Sequence, residues 1–331
     1  MILKSYGHAT LSLENNEIPY LITDPWLIGS CYWRSWWLQH YPSEKDLSNL
    51  KKTKCVFITH EHWDHAHFPS LKKFFLNKKI FIPKLNSKRL KNALMDQFDV
   101  NEIEPLKWFK LNEIQYISIP LYNDDSILLF KYKKYLICNI NDSKPTPQIV
   151  KKIYELKKKE NLNIILMQSY APASINNSFK KNNNEIVSLK SKIEYINYVM
   201  KISKKIDAKY FVPFASQAIF SRPDSKWANK FKITWPELKE SWNINTKLLK
   251  SYVEFDLDEN QYDTYVNDFL KSSKMDKLSD LKYQNNISAK YNLKDLCIFS
   301  TICRPVKYIL TLIYPFGINF NFNQEYFNYN F

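Results

Sequence analysis

Hydrophobic and polar positions near the amino terminus form short runs of the kind that strands show. These runs predict strands at 2–6, 9–13 and 20–23, and the continuous apolar run CVFIT at 55–59 is typical of a buried strand. The same pattern predicts further strands at 79–82, 114–119, 127–132 and 135–140. The first part of the chain is therefore expected to be rich in β structure.

Helical spacing of apolar residues becomes frequent further along the chain. Helices are predicted at 69–76, 88–98, 147–160 and 189–206, with strands at 162–167 and 210–212 between the later ones. A meander followed by alternating strands and helices predicts an α/β sandwich, in which two sheets pack together and helices cover their outer faces. No firm assignment follows from about position 236 onward.

The glycine content removes several classes of function. The 331 residues include only three glycines, Gly7, Gly29 and Gly317. Dinucleotide-binding and Walker-type loops need clustered glycines, so that backbone N–H groups can approach phosphates closely. Any phosphate recognition is therefore expected to depend on side chains.

The positive charge does not indicate a nucleic-acid partner. The chain has 48 basic and 33 acidic residues and a net charge of +15, but only four of the basic residues are arginine. Arginine is the side chain best suited to bidentate recognition of bases and phosphates. We interpret the dispersed lysines as solvated surface residues.

Cysteine usage and the absence of long apolar runs indicate a cytoplasmic protein. The five cysteines, an odd number, are scattered and form no Cys-x-x-Cys pair, which is typical of a reducing compartment. No signal peptide is evident, and the apolar stretch at 296–318 is interrupted by Arg304, Pro305 and Lys307. We therefore expect no membrane span.

The strongest chemical signal directly follows the CVFIT run. The segment His60-Glu61-His62-Trp63-Asp64-His65 packs three imidazoles and two carboxylates into six residues. Imidazole and carboxylate together suit zinc, iron, nickel or copper. The spacing of His60 and His62 places both rings on one side of an extended backbone, and a turn can bring Asp64 and His65 to the same point. We predict a metal site here.

This HxHxDH run resembles the metallo-β-lactamase superfamily. The resemblance implies an αββα fold over residues 1–235, followed by a C-terminal extension at 236–331 that we expect to pack on the same domain. It implies that His60 and His62 hold one metal, and that Asp64 and His65 hold a second. It also implies a bridging ligand at Asp142, and an orienting role by hydrogen bonds for Asp24.

The chain departs from the superfamily pattern after position 67, where it has no histidine. A complete two-metal site in the superfamily needs one more histidine before the bridging Asp and another after it. The corresponding places look like Leu121-Tyr122-Asn123 and Val212-Pro213-Phe214-Ala215. The site is therefore either mononuclear or completed by replacement ligands. The candidates are Asn123, Asp124, His8 and His67.

Four longer segments resemble the metallo-β-lactamase-fold part of the CMP-N-acetylneuraminate hydroxylase family. They are DPWLIGSCYWRSWWLQHYP at 24–42, HEHWDHAHFPSLKK at 60–73, DSILLFKYKKYLICNIND at 125–142 and VPFASQAIFSRPD at 212–224. That family also has a Rieske iron–sulfur domain with two Cys and two His ligands. This sequence contains no Cys-x-His pair, so we expect that domain to be absent.

Residues near the motif that could contact a substrate are of anion-binding, hydrogen-bonding and stacking types. Arg34 and Arg222 are candidates for a carboxylate or phosphate, and the tryptophans for a base or a sugar ring. Ion pairing or core burial would explain the same residues without a substrate. The candidate substrate contacts are His8, Arg34, Trp36, Trp37, His40 and Arg222.

The leading hypothesis from the sequence is a metal-dependent hydrolase. It would use one or two divalent ions, zinc or iron, on an anionic, phosphorylated or nucleotide-activated sugar resembling CMP-sialic acid. Asp64 and Asp142 would position an activated water and accept its proton. One alternative is a non-haem iron oxygenase that takes electrons from a separate protein. A third hypothesis is a binding protein that keeps the fold without catalysis.

Overall fold

The computed structural model describes residues 1–171, 178–180, 186–188, 190–223, 225–264, 318–322 and 325–329. Two compact units are present, residues 1–275 and 276–331. The predicted boundary at 235/236 therefore falls inside the first unit. Cys297, Cys303 and nearly all of the apolar stretch at 296–318 lie outside the described residues.

Eight strands form the first sheet of the larger unit. In chain order, its first three strands form an antiparallel meander, the next three run parallel to the third strand, and the last two form a hairpin that pairs antiparallel with the first strand. In spatial order the strands are β20 (Gln261–Thr264), β19 (Val253–Asp256), β1 (Ile2–Gly7), β2 (Thr10–Asn15), β3 (Ile18–Thr23), β6 (Cys55–Phe57), β7 (Lys79–Pro83) and β8 (Asp99–Ile103).

Seven strands form the second sheet. In chain order, its first four strands form an antiparallel meander, and the remaining three run parallel to the fourth. In spatial order they are β18 (Lys247–Leu248), β16 (Tyr210–Phe214), β13 (Asn163–Ser169), β12 (Tyr135–Asn141), β11 (Ser126–Tyr132), β10 (Ile114–Pro120) and β9 (Phe109–Leu111).

Helices are placed by clear capping signals. Ser43 and Ser191 each form a capping box with an acidic residue three positions later, and Thr146 caps a helix that begins with a proline. The helices are α1 (Glu44–Leu50), α2 (Phe68–Phe74), α3 (Arg89–Met95), α4 (Pro147–Glu160), α5 (Lys192–Lys205) and α6 (Trp235–Ser241), with a 3-10 helix at Lys226–Phe231.

Three hydrophobic clusters separate four layers, which are helices, the first sheet, the second sheet and helices. The central cluster joins residues of both sheets, such as Phe57 and Phe130, and burial of each such side chain contributes about 1.5–3 kcal/mol. α1, α2 and α3 cover the outer face of the first sheet, and α4, α5 and α6 cover that of the second. The predicted αββα sandwich is therefore confirmed.

Shorter strands complete the description. A small third sheet contains β17 (Ala218–Phe220), β5 (Trp36–Leu38) and β4 (Ser30–Cys31). β14 (Ser178–Lys180) pairs with β15 (Ile186–Ser188). In the second unit, β21 (Ile318–Phe322) pairs with β22 (Glu325–Tyr329).

Several elements carry no strong sequence pattern and were not predicted. β8 has the mostly polar sequence DVNEI, and it is a strand because it pairs with β7 at the sheet edge. β19 and β20 follow position 236 and extend the first sheet beyond β1. Long-range pairing, rather than local propensity, decides such strands.

Among the described residues, no helix is long and apolar enough to cross a membrane. The three described cysteines, Cys31, Cys55 and Cys138, are buried free thiols.

Gly7 provides a test of the first hairpin, which leads directly to His8. Its φ is +96°, and a Cβ at this position would lie 2.7 Å from Cε1 of Tyr252. Left-handed strain and overpacking together predict that Gly7→Ala lowers the free energy of unfolding by about 3 kcal/mol. The measurement is urea unfolding followed by circular dichroism.

Gly29→Ala is the matched control for this variant. Gly29 also has a positive φ, +59°, but no atom lies within 4 Å of the point that a Cβ would occupy. We therefore expect the free energy of unfolding to fall only by the cost of the left-handed backbone, about 1 kcal/mol. Equal losses in the two variants would contradict the close packing of Gly7 against Tyr252.

Candidate metal centre

The predicted metal-binding residues meet at one edge of the sandwich. Asp24 follows β3, the segment His60–His65 follows β6, and Asp142 follows β12, while Asp125 directly precedes the antiparallel strand β11. His8 lies in the tight turn between β1 and β2. The ends of strands from both sheets thus supply one cluster.

Asp24 anchors the cluster from below. It is completely buried, and its Oδ1 accepts a hydrogen bond of 2.8 Å from the backbone N–H of Thr59. Its Oδ2 accepts one of 2.7 Å from the Thr59 hydroxyl and lies 2.9 Å from Nδ1 of His65. This contact fixes the orientation of His65 and directs Nε2 of that ring toward the other ligands.

One group of donors consists of His60, His62 and Asp125. Nε2 of His60 lies 2.8 Å from Nδ1 of His62 and 4.0 Å from Oδ1 of Asp125. One donor atom from each residue lies within 4.8 Å of those from the other two. His60 and Asp125 are buried, whereas the side chain of His62 is 55% exposed toward the cleft.

A second group consists of His8, Asp64 and His65, all buried. Oδ2 of Asp64 lies 2.7 Å from Nε2 of His8 and 3.6 Å from Nε2 of His65. The other carboxylate oxygen, Oδ1, accepts a hydrogen bond of 2.6 Å from the Tyr32 hydroxyl. Burial and the charge of Asp64 raise the pKa of the Tyr32 phenol far above its ordinary value, so it remains a donor.

Asp142 lies between the two groups. Its Oδ1 is 3.6 Å from Nε2 of both His60 and His65, and its Oδ2 is 3.9 Å from Nδ1 of His62. Its side chain is 18% exposed, in contrast to the buried Asp64. This placement suits the bridging position that the sequence resemblance assigned to Asp142.

Several buried polar atoms of the cluster lack a hydrogen-bond partner among the described residues. Nε2 of His65, Oδ1 of Asp142 and Nδ1 of His8 are buried and have no hydrogen-bond partner among the described residues. Buried polar atoms normally have such partners. Buried imidazole nitrogens and carboxylate oxygens that converge in this way are a suitable ligand set for zinc or iron.

Charge within the cluster is unevenly distributed. Burial, followed by the neighbouring His65, lowers the pKa of His60 to about 4. Burial also opposes protonation of His65, but the carboxylates of Asp142, Asp64 and Asp24 outweigh it and raise the pKa of that ring to about 10. Three carboxylates around one imidazole therefore favour a positive charge at this point.

Of the candidate replacement ligands, only His8 lies within the cluster itself. Asn123 donates to Asp125 at 2.6 Å, and Asp124 accepts from the backbone of Ser87. His67 caps α2 through Ser70. Asp125 was missed, although it directly follows the Asp124 that we considered. The spacing alone did not indicate which of two adjacent carboxylates points inward.

A cleft of about 660 Å³ opens over the cluster. Its aromatic lining consists of Tyr32, Trp33 and Trp36, which we call the aromatic wall, together with Tyr195 and Tyr198 of α5. Lys144, Lys190 and Arg222 add three positive charges to its lining. The lining therefore combines cations with flat apolar surfaces above the donor atoms.

The predicted substrate contacts fall into two sets. Trp36 and Arg222 line the cleft, and His8 lies beneath it in the cluster. Arg34, Trp37 and His40 are not among its lining residues. These three residues therefore lie outside the lining of the cleft, and a role for them in substrate contact stays a prediction.

The alternation of side chains along β5 explains part of the difference. Trp37 is buried on the opposite face from Trp36, and its indole N–H donates to the carbonyl of Arg34 at 2.9 Å. His40 is buried edge-on against Tyr252, with ring centroids 5.0 Å apart. Trp37 and His40 therefore support the fold, while the Arg34 side chain is exposed outside the cleft.

Residues 2–136 match the family model of the beta-lactamase superfamily domain. This match includes the HxHxDH run and confirms its resemblance to the metallo-β-lactamase superfamily. The cluster also agrees with the expected one or two divalent ions, zinc or iron.

Solved structures support the fold at low sequence identity. Isothiocyanate hydrolase from Delia radicum gut bacteria aligns with a TM-score of 0.51 and 13% identity, over 76% of this chain and 96% of that one. A protein described as a possible metal-dependent hydrolase from Veillonella parvula aligns with a TM-score of 0.53 and 11% identity, over 80% and 99% of the two chains. At such identities the likeness concerns the fold alone.

Curated relatives match one short segment. Cytidine monophosphate-N-acetylneuraminic acid hydroxylase of Asterias rubens is 38% identical over 66 residues, which is 20% of this chain and 10% of that protein. The hydroxylase of Sus scrofa is 39% identical over 66 residues, again 20% of this chain and 15% of the relative. The segment thus spans a small part of each relative.

The anchoring role of Asp24 predicts the effect of Asp24→Asn. The amide keeps the shape but presents a donor where Thr59 or His65 also donates, so a buried hydrogen bond is lost. We expect the free energy of unfolding in the presence of EDTA to fall by about 1–3 kcal/mol. Urea unfolding of the metal-free protein measures it.

Asp99→Asn is the control for this measurement. Asp99 is exposed and contacts only the side chain of Asn101 among the hydrogen bonds described. A change within about 0.5 kcal/mol is expected. If Asp24→Asn lowered the free energy of unfolding no more than Asp99→Asn does, Asp24 would not be the anchor of the cluster.

Proposed function

We propose that this chain is a metal-dependent enzyme that hydrolyses an anionic small molecule, of the class of phosphorylated or nucleotide-activated sugars. The observation that supports the proposal most is the position of the donor cluster. His62, Asp64, Asp125 and Asp142 line a cleft that also contains cations and aromatic rings, and buried Oδ1 of Asp142 has no hydrogen-bond partner among the described residues. A cleft of this size accommodates a molecule as large as a nucleotide sugar.

The proposed ligands form two sets that share one residue. His60, His62 and Asp125 would hold one ion, and His8, Asp64 and His65 would hold the other, with Asp142 between them. A bound divalent ion lowers the pKa of water and polarises a phosphoryl or carbonyl oxygen. In this proposal, His8 and Asp125 take the place of the downstream histidines that the chain lacks.

The two proposed catalytic carboxylates have different surroundings. Both oxygens of Asp64 are already engaged, one by Tyr32 and the other beside His8. Asp142 is partly exposed and lines the cleft, and one of its oxygens has no hydrogen-bond partner among the described residues. We therefore assign proton acceptance to Asp142, and to Asp64 the role of a ligand and positioning group.

Cations around the cleft support an anionic substrate. Arg222 is half-buried, and its Nη1 donates to the carbonyl of Trp33 at 3.4 Å, which directs the guanidinium toward the aromatic wall. Lys144 follows Asp142 by two residues, and Lys190 lies just before α5. A phosphate near these groups would leave the rest of the substrate against the aromatic side chains.

Metal content tests the ligand assignment. Wild-type protein reconstituted with zinc, manganese or iron is expected to retain one or two ions per chain after desalting. His60→Gln and Asp142→Asn are expected to lose at least one of them, because each removes a donor from the cluster. Elemental analysis by mass spectrometry gives the stoichiometry.

His40→Gln is the matched control, since His40 is buried but lies outside the cluster. Turnover is measured on phosphodiesters and nucleotide sugars, including a CMP-sugar, with each metal. Metal binding without any turnover would favour a binding protein. Unchanged metal content in His60→Gln would contradict the site itself.

Substrate charge is tested at Arg222. Replacing it by Gln removes a cation from the cleft and is expected to raise KM about 10–100-fold, while kcat changes less. Lys201→Gln, on the exposed surface of α5, is expected to leave KM unchanged. Equal KM values for wild type and Arg222→Gln would argue against an anion at this position.

A non-haem iron hydroxylase is the second candidate function. The observation in its favour is the match of 66 residues to proteins named as hydroxylases, together with a cluster rich in carboxylates. This reaction would require electrons from a separate protein. Iron retained after anaerobic purification, and oxygen uptake on addition of a CMP-sugar and a reductant, would favour it over hydrolysis.

A further inference from the structure

We infer that Tyr32 is a positioning residue for the metal site. Its hydroxyl donates a hydrogen bond to one carboxylate oxygen of Asp64, so that Asp64 presents only the other oxygen to a metal. The inference rests on the proposed function and its metal site. Tyr32 lies in the segment at 24–42, but the sequence alone does not indicate it as a site residue.

The hydrogen bonds divide the two oxygens of Asp64 between different partners. Oδ1 accepts from the Tyr32 hydroxyl at 2.6 Å. Oδ2 lies 2.7 Å from His8 and 3.6 Å from His65, on the side of the candidate ligands. Without the phenol, Asp64 could rotate and offer both oxygens or neither. The Tyr32 hydroxyl therefore sets a single-oxygen geometry.

The Tyr32 ring is held on both sides. It stacks on Trp63, with ring centroids 5.9 Å apart and an interplanar angle of 11°, and it meets Trp36 edge-on at 4.7 Å. Trp63 is itself tied to the same loop, because the Cys31 thiol donates to its backbone carbonyl at 3.2 Å. These contacts restrict movement of the Tyr32 phenol away from Asp64.

The backbone of this loop adopts an unfavourable conformation. Tyr32, Trp33 and Arg34 have φ values of 50°, 52° and 65°, in the left-handed region. None is glycine, and each such residue costs about 1–2 kcal/mol. Strain of this kind persists where surrounding contacts enforce it, and it clusters at functional sites.

Three hydrogen bonds hold the strained turn. The N–H of Ser35 donates to the carbonyl of Tyr32 at 3.0 Å, the Arg222 guanidinium to that of Trp33, and the Trp37 indole to that of Arg34. As a result Tyr32 points inward to Asp64, while Trp33 is 71% exposed and lines the cleft. A substrate against Trp33 would therefore contact the residue next to the one that holds a metal ligand.

Tyr32→Phe tests the inference, because it keeps the ring and its stacking but removes the hydroxyl. The metal-free protein is titrated with Co²⁺ while the visible absorption spectrum is recorded, since this spectrum reports ligand number and geometry. Loss of an outer hydrogen bond to a ligand typically lowers metal affinity 10–100-fold. We expect that loss for one of the bound Co²⁺ ions, together with a changed spectrum.

Tyr41→Phe is the matched control. The Tyr41 hydroxyl donates to the carbonyl of Gly29 at 2.7 Å in the same segment but does not contact the cluster. The Co²⁺ affinity and the visible spectrum of Tyr41→Phe are expected to equal those of wild type. If Tyr32 had only a structural role, Tyr32→Phe would lower the thermal stability without altering the spectrum of the Co²⁺-loaded protein.

Equal Co²⁺ affinity and an identical spectrum for Tyr32→Phe and wild type would overturn the inference. If wild type bound no Co²⁺ at all, the proposed function would fail, which is a separate result. Should Tyr32→Phe not fold, Tyr32→Asn replaces it, since Asn adopts left-handed backbone readily and its shorter side chain does not reach Oδ1 of Asp64. Wild-type affinity and spectrum in that variant would likewise overturn the inference.

Discussion

The buried contact of Asp24 with Thr59 and His65 is the interaction on which the site depends. Its three hydrogen-bond partners lie on the segment that leaves β6, so one carboxylate joins the ends of two neighbouring parallel strands. It orients the imidazole whose second nitrogen faces Asp64 and Asp142. The remaining ligands are arranged around that nitrogen, including those contributed by the second sheet.

Two residues of the cluster, Asp125 and His8, lie outside the HxHxDH segment. Asp125 lies at the start of β11, near His60 and His62. His8 approaches from the first hairpin, and its carbonyl accepts a hydrogen bond of 2.7 Å from the N–H of Ala215, in the segment where the last histidine of the pattern would be expected. The proposed ligands outside the motif thus come from both sheets.

Local signals were sufficient for much of the fold and for the centre of the site. The buried run before His60 and the helical spacing of α4 follow from periodicity, and the dense HxHxDH segment indicated a metal by itself. Other features depend on contacts distant in sequence. The polar strand β8, the closing strands β19 and β20, and the choice of Asp125 over Asp124 are decided by tertiary pairing. Tyr32 could not have been identified, because its role arises from a left-handed turn in a chain segment without glycine at that position.

Anomalous X-ray diffraction from crystals grown with zinc tests the central claim most directly. Data collected on both sides of the zinc absorption edge locate each bound ion independently of any assay. We predict at least one anomalous peak within coordination distance of Asp142, flanked by His60 and His62 or by Asp64 and His65. Data that show no peak in this cluster, with His8 still hydrogen-bonded to Asp64 and His60 to His62, would contradict the metal site.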